Sequence, residues 1–289
     1  HSLEVSQISR TISRRLGLDE DLAEALALSH DLGHPPFAHS GEEILNKCMN
    51  DYDGFDHNAQ TLRILTSLEE RYPSFNGLNL TWETLEGVVK HNGPLLNPHI
   101  VIKEYNKTHD LELNTYPGLE AQIASLSDDI AYNNHDIDDG FRAGFISLDD
   151  LKNIELFSEI IKEINSDYKS IDNYMIVKEL IRRLIGLMVN DLIKNTKKNI
   201  SRVNPKNSEE IRSHNGLIAS FSDFFISQDT QIRNFLRSRV YEHNSIEKER
   251  VKSMRIIEEI FSKLIKNIDL LPTKLKEKCD SPYSKITAR

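Results

Sequence analysis

The sequence predicts an all-α fold, for two reasons. Apolar residues recur every three or four positions through most of the chain, which is the spacing of amphipathic helices. Alternating apolar runs joined by an Asn-Gly turn, which would indicate a β-hairpin, do not occur. The length of 289 residues suits one large domain or two closely packed ones. With 38% hydrophobic and 28% charged residues, the composition is that of a globular protein.

The first two predicted helices lead to the most unusual stretch of the chain. The apolar stripe of the first helix consists of Val5, Ile8, Ile12 and Leu16. Gly17 can end this helix, and Asp19 can cap the second helix, which continues to His30. Gly33 stands where a helix-terminating glycine is expected, and the two prolines that follow prevent the helix from continuing.

The same periodicity predicts the later helices. They are placed at residues 41–49, 56–72, 77–93 (with Thr81 as its cap), 119–140, 172–198, 216–226, 230–241 and 251–266, with one more apolar stripe at Ile154, Phe157, Ile161 and Ile164. The least structured stretch, residues 199–216, is interpreted as an insertion loop.

Charge and cysteine content limit the function. Lys+Arg 36 against Asp+Glu 45 gives a net charge of −9, which repels nucleic acid and other polyanions. An anionic substrate would therefore need a metal ion or a local basic patch. The two cysteines form no disulfide framework, and no run of about 18 apolar residues occurs. We expect a cytoplasmic protein that does not enter a membrane. Because the chain opens inside a helical pattern, we expect its natural N-terminal segment to be missing.

The stretch "HDLGHPPFAH" (residues 30–39) indicates a metal site. His30 and Asp31 fall in the last turn of the second predicted helix, where the negative end of the helix dipole favours a cation. Both side chains can reach one ion if the helix ends just beyond them. Octahedral sites mix imidazole, carboxylate and water ligands, so further ligands are required. His1 and Asp128 are the candidates, with Asp129 as an alternative to its neighbour.

Four longer motifs carry a resemblance to a known family. The segments "HSLEVSQISRTISRRLGLDEDLAEALALSHDLGHPPFAHSGEE", "GFDHNAQTLRIL", "GLNLTWETLEGVVKHNGP" and "EAQIASLSDDIAYNNHDIDDGFRAG" follow the order H…HD…D. Together they resemble the deoxyguanosine triphosphate triphosphohydrolase-like branch of the HD-domain metal-dependent phosphohydrolases. The resemblance implies an HD-domain helical bundle at residues 1–145, with an additional C-terminal helical region at residues 146–289 packed on it.

The resemblance also implies the site residues. It makes His1, His30, Asp31 and Asp128 the metal ligands, His34, Glu42 and His57 the catalytic residues, and Tyr132 and Asp136 the contacts to the sugar. The spacing of Asp128, Tyr132 and Asp136 places them on one face of one helix, opposite its apolar face. His39 and Lys90 are further candidates for substrate contacts, Lys90 with a phosphate, although a helix C-terminus favours a lysine in any case.

The implied reaction is hydrolysis of dGTP, or of other deoxynucleoside triphosphates, to a deoxynucleoside and inorganic triphosphate. One divalent ion would activate water for attack on the α-phosphate. Its identity stays open among Mg²⁺, Mn²⁺, Fe²⁺, Ni²⁺ and Zn²⁺. His34 is the candidate general acid, positioned by Glu42, while His57 contacts phosphate or shares the proton transfer. The resemblance further implies a homo-oligomer and a deoxynucleotide as allosteric effector.

Two alternatives stay open at this point. The chain could be an HD phosphohydrolase of another nucleotide, as in a 5′-nucleotidase or a phosphodiesterase. It could instead be a non-catalytic regulator that binds a nucleotide or single-stranded nucleic acid. The basic cluster at Lys194, Lys197, Lys198, Arg202 and Lys206 is interpreted as a solvated face, with a phosphate or nucleic-acid site as its alternative.

Overall fold

The structure is a computed structural model that describes residues 1–276 and residue 279. Its α-helices are α1 (Ser2–Leu16), α2 (Glu20–Ser29), α3 (Ala38–Cys48), α4 (His57–Arg63), α5 (Trp82–Val89), α6 (Ile100–Asn106), α7 (Leu119–Arg142), α8 (Leu148–Leu151), α9 (Glu155–Asp167), α10 (Asn173–Val203), α11 (Ser208–Arg212), α12 (Asp223–Leu236), α13 (Asn244–Lys266) and α14 (Thr273–Lys276). Within the described residues, an isolated bridge between Tyr72 and Phe75 is the only β pairing. The all-α prediction is confirmed.

Three of the predicted helix ends have the expected chemistry. Gly17 ends α1 in the left-handed conformation, with φ of 77°. The side chain of Asp19 accepts hydrogen bonds from the backbone N–H groups of Asp21 and Leu22 at the start of α2. Thr81 caps α5 in the same way.

The cap predicted at Gly33 is wrong. The helix α2 ends at Ser29, so His30 already occupies the cap position and Asp31 lies beyond the helix. Gly33 is required for close packing instead. A Cβ atom at this position would lie 2.1 Å from the backbone oxygen of His57 and 2.4 Å from the backbone nitrogen of Thr61. The glycine therefore allows the loop after α2 to touch α4.

Two predicted segments differ from the structure. The helices predicted at 216–226 and 230–241 are one helix, α12, which begins after the Ser222 cap and continues into a π-helical turn at Arg237–Tyr241. The loop predicted at 199–216 is partly helical, because α10 continues to Val203 and α11 follows. Ile200 and Val203, which pack against the core, lie in the part of α10 beyond the predicted end.

The chain divides into two compact units, each built from separated segments. The first unit contains His1–His30, Thr81–Leu96 and Leu111–Ile246, and the second contains Asp31–Leu80, Asn97–Asp110 and Glu247–Arg289. The boundary predicted near residue 145, between a catalytic core and a C-terminal helical region, stays a prediction.

The first unit is organised around α7. This helix packs against α1, α2 and α10. Its buried residues include Ile123, Ile130 and Ile137, which join the stripe of α1 and the apolar residues of α9 and α10 in one core. Polar side chains occupy the face of α7 that carries Asp128.

The second unit contains α3, α4, α6 and most of α13. Its buried apolar residues are Ile44, Met49, Ala59, Leu62, Leu65, Ile102 and Ile257. Across both units, none of the helices formed by the described residues has the length and apolarity needed to cross a bilayer.

Candidate active site

Four side chains of the first unit converge beside α7. Asp128 lies on α7, while the other three are histidines at the ends of helices: His1 precedes α1, His30 follows α2 and His91 lies just beyond α5. The Nε2 atom of His1 lies 2.8 Å from Oδ1 of Asp128. The Nε2 atoms of His30 and His91 each lie 3.5 Å from the same carboxylate, His30 from Oδ1 and His91 from Oδ2. Three imidazoles thus surround one carboxylate.

The donor atoms of this cluster suit a metal ion. Nδ1 of His30 lies 2.8 Å from the backbone carbonyl oxygen of Ala27. A carbonyl only accepts hydrogen bonds, so Nδ1 donates and Nε2 is the ring nitrogen directed at Asp128. Burial alone would raise the pKa of Asp128, but the neighbouring His30 and His91 hold it well below its usual value. Imidazole nitrogens and a carboxylate oxygen are donors that a divalent metal accepts, so these residues fit the metal implied by the resemblance.

The structure distinguishes Asp128 from its neighbour. Oδ1 of Asp129 lies 2.8 Å from Nη2 of Arg233, whose Nε lies 2.6 Å from Asp229. Asp129 is therefore engaged with a guanidinium, while Asp128 is the carboxylate that contacts the histidines. This geometry favours Asp128 over the alternative ligand.

The two other polar residues of the α7 stripe continue away from Asp128. The ring of Tyr132 lies 6.5 Å from the ring of His1, and its side chain is partly exposed. Asp136 accepts a hydrogen bond from the phenol of Tyr241, a residue for which the sequence predicted no role. Burial raises the pKa of Tyr132 and also that of Asp136, although the bond from Tyr241 opposes the second shift. The stripe therefore offers a tyrosine and an oriented carboxyl group next to the metal-ligand candidates.

A further pair flanks His1. His135, also on α7, contacts the carboxylate of Glu4 on α1, and its ring lies edge-on to that of His1 at 5.4 Å between centroids. The imidazole of His1 is thus packed between His135 and His30, whose ring lies 5.9 Å away. These contacts hold the ring of His1 in a defined position at the start of α1.

The second unit gathers the predicted catalytic residues. Oε1 of Glu42, on α3, accepts a hydrogen bond from the backbone N–H of His57 at 2.9 Å and lies 2.8 Å from Nδ1 of the same residue. The ring of His34 stacks on that of His57, with 4.1 Å between centroids. Nδ1 of His39 lies 3.9 Å from Oε2 of Glu42, and its side chain is 71% exposed. The sequence predicts that Glu42 positions His34, whereas in the structure Glu42 forms its hydrogen bonds with His57.

The two stacked imidazoles have opposite electrostatic environments. Burial would lower the pKa of His57, but the hydrogen bond and the negative charge of Glu42 outweigh burial and raise it. The pKa of His34 is lowered by burial and by the nearby charge of His57. Of the two rings, His57 is therefore the one that holds a proton more readily.

The loop that carries His34 has an uncommon backbone. Phe37 and Ala38 have φ of 66° and 45°, in the left-handed region that L-residues seldom adopt. Asp31 lies at the start of this loop, directly after His30 in the chain, and its Oδ1 lies 3.5 Å from Nε2 of His34. Backbone strain of this kind is typical of functional loops.

Lys90 lies in an interior ion pair. Its side chain is fully buried, and Nζ lies 2.7 Å from Oε1 of Glu86 and 2.8 Å from Oγ1 of Thr115. Burial lowers the pKa of this lysine, although Glu86 opposes the shift. A contact between Lys90 and a phosphate would have to replace these partners, so the predicted substrate role stays a prediction.

Comparison with known proteins identifies the family. Residues 1–133 match the family model "HD domain", and residues 219–289 match "Phosphohydrolase-associated domain". The "Deoxyguanosinetriphosphate triphosphohydrolase-like protein" of Parvibaculum lavamentivorans is 46% identical over 296 residues, which cover 100% of this chain and 75% of the relative. The protein of the same name from Bradyrhizobium sp. is 48% identical over 280 residues (96% and 72%), and that from Rickettsia prowazekii is 44% identical over 288 residues (99% and 75%). The chain therefore belongs to the deoxyguanosinetriphosphate triphosphohydrolase-like family of HD-domain phosphohydrolases.

Proposed function

We propose that the protein is a metal-dependent deoxynucleoside triphosphate triphosphohydrolase that converts dGTP to deoxyguanosine and inorganic triphosphate. The observation that carries the proposal is the approach of the His1 and His30 imidazoles to Asp128, the residue types of the H…HD…D signature. The relatives, which are named deoxyguanosinetriphosphate triphosphohydrolase-like proteins, support the choice of substrate.

The metal ligands in this proposal are His1, His30, Asp31 and Asp128. A divalent ion bound there would neutralise charge on phosphoryl oxygens and lower the pKa of a bound water. The protein's own contribution is to keep Asp128 ionised and to fix the tautomer of His30 through the carbonyl of Ala27.

Protonation of the leaving group is assigned to the histidines that contact Glu42. The 5′-oxygen of a deoxynucleoside is a poor leaving group and needs a general acid. His57 holds a proton because Glu42 raises its pKa, and His39 is the more exposed of the two histidines at that carboxylate. His34, whose pKa is lowered by burial and by the charge of His57, is assigned to hydrogen bonding with the phosphates rather than to proton donation.

Recognition of the sugar is assigned to Tyr132 and Asp136. The partly exposed ring of Tyr132 would pack against the deoxyribose and crowd a 2′-hydroxyl. Asp136, oriented by the phenol of Tyr241, would hydrogen-bond a sugar hydroxyl. This assignment predicts discrimination against ribonucleotides.

A product assay tests the proposal. The Mn²⁺-loaded protein is incubated with each of the four deoxynucleoside triphosphates, with GTP and with dGMP, and products are separated by anion-exchange chromatography. We expect deoxyguanosine and inorganic triphosphate from dGTP, with GTP turned over about 100-fold less efficiently. Asp128→Ala should abolish turnover, whereas Asp139→Asn, on the exposed side of α7, should retain it.

Other products would support another function. Turnover of dGMP without turnover of triphosphates would identify a nucleotidase. A metal-loaded protein that turns over none of these nucleotides, alone or in pairs, would contradict catalysis and favour a regulatory role.

A further inference from the structure

We infer that His91 is an additional ligand of the metal centre and that it makes the centre prefer imidazole-binding transition ions to Mg²⁺. The inference rests on the proposed metal site and adds a residue to it. The sequence pattern assigns His91 no role in the site. The structure places it at the carboxylate of Asp128.

Close helix packing determines where His91 lies. A Cβ atom on Gly87, in α5, would lie 2.5 Å from Cδ2 of Leu26 and 2.9 Å from Cβ of Ala121. Only a glycine permits α5 to approach α2 and α7 this closely. The end of α5 is thereby brought to the end of α2, which carries His30, and to α7, which carries Asp128.

A buried ion pair fixes the turn that presents His91. The preceding residue, Lys90, is fully buried against Glu86 and Thr115. Glu86 also accepts a hydrogen bond from the backbone N–H of Gly118 at the start of α7, at 3.4 Å. The last turn of α5 is thus tied to α7 at one end, and the His91 side chain, 11% exposed, is directed to Asp128.

The distances within the cluster are those of ligands that share an ion. Nε2 of His91 lies 3.5 Å from Oδ2 of Asp128, beyond the usual hydrogen-bond range of about 2.7–3.2 Å. Two donors bound at about 2.1 Å to one metal lie roughly 3.0–3.5 Å apart. His30 shows the same 3.5 Å spacing from Oδ1, and its ring stacks on that of His91 at 5.0 Å. The ligand atoms of His30, His91 and Asp128 all lie within 4.8 Å of one another.

A third imidazole changes the expected choice of metal. Mg²⁺ prefers oxygen ligands and retains several waters, whereas Mn²⁺, Fe²⁺, Co²⁺, Ni²⁺ and Zn²⁺ accept imidazole readily. With His1 and His30 alone, the ligand set suits either class. With His91 added, three nitrogen donors favour the transition ions, and this preference can be measured without any substrate.

Metal titration of the full chain tests the role of His91. Metal-free protein is titrated with Co²⁺, followed by its visible absorption, and with Mg²⁺ by competition. We expect His91→Ala and His91→Asn to weaken Co²⁺ binding by about 10- to 100-fold and to alter the Co²⁺ spectrum. Mg²⁺ binding should change much less. His214→Ala, a histidine of the same unit outside the cluster, should leave both affinities unchanged.

The outcomes separate this inference from the proposed function. Unchanged Co²⁺ affinity and spectrum in both His91 variants would contradict the inference alone. Parallel losses of Co²⁺ and Mg²⁺ binding would contradict it as well, because they would indicate a structural role for His91. Failure of the unsubstituted protein to bind any divalent ion would contradict the proposed metal site itself.

Discussion

Glu42 contacts two histidines through different oxygens, Oε1 with His57 and Oε2 with His39. Burial would raise the pKa of Glu42, but the hydrogen bonds from these histidines hold it well below its usual value. The ionised carboxylate in turn raises the pKa of His57, while burial and the charge of His57 lower the pKa of His34. One partly buried carboxylate therefore favours a proton on His57 over one on His34.

Removal of this charge should shift the pH dependence of activity. In Glu42→Gln, the pKa of His57 should fall because its negative partner is lost. The protonated form of His57 then persists only at lower pH, so the alkaline limb of kcat/KM should move to lower pH and activity at pH 8 should drop. The pH profile checks this, together with NMR titration of the His57 ring.

Glu43→Gln is the matched control, because Glu43 lies on the same helix and pairs with Lys47 and Arg250. It should leave the alkaline limb in place. Identical profiles for Glu42→Gln and the unsubstituted protein would contradict the assignment of proton transfer to this cluster.

At the scale of elements, two close approaches position the candidate site. Gly33 allows the loop after α2 to touch α4, and Gly87 allows α5 to touch α2 and α7. Neither glycine has the left-handed backbone of a turn, so close packing alone requires a glycine at these two positions. Tertiary contacts of this kind explain why the sequence pattern assigned Gly33 a capping role that the structure does not show.

Substitution of Gly33 should therefore be costly. A Cβ atom there meets backbone atoms of α4 that cannot move aside, so Gly33→Ala should lower the free energy of unfolding by about 3 kcal/mol or more. Gly186→Ala is the matched control, since a Cβ atom inside α10 meets nothing within 4 Å. It should raise stability by about 0.5–1 kcal/mol. Equal stability of the two variants in urea denaturation would show that the packing described at Gly33 is wrong.

For the whole molecule, the net charge of −9 disfavours a polyphosphate substrate, and a bound cation would offset it locally. Metal binding should also stabilise the folded state by mass action. At a free Mn²⁺ concentration 100 times Kd, the gain is about 2.7 kcal/mol. This should raise the midpoint of thermal unfolding by about 4–5 °C.

Calorimetry with and without Mn²⁺ measures this stabilisation. Asp128→Ala should remove the shift, and His214→Ala should retain it. A shift of equal size in Asp128→Ala would indicate that the stabilising ion binds elsewhere.

The sequence predicted the fold class and most helices because amphipathic periodicity and capping residues are local signals. Asp19 and Thr81 cap the helices they were expected to cap. His91 and Tyr241 could not be assigned, because their partners Asp128 and Asp136 are distant in the chain and are reached only through packing. The hydrogen bond between Glu42 and His57 could not be predicted for the same reason. Ser222, a capping residue of the favoured type, was the available signal that α12 begins later than predicted.

Hydrolysis of dGTP in ¹⁸O-labelled water tests the central claim most directly. If water attacks the α-phosphorus and the bond from phosphorus to the 5′-oxygen breaks, the label enters the triphosphate and deoxyguanosine leaves unlabelled. Mass spectrometry of the two products from the metal-loaded protein should show this distribution. Label in deoxyguanosine, or release of dGMP with pyrophosphate, would contradict the proposed reaction.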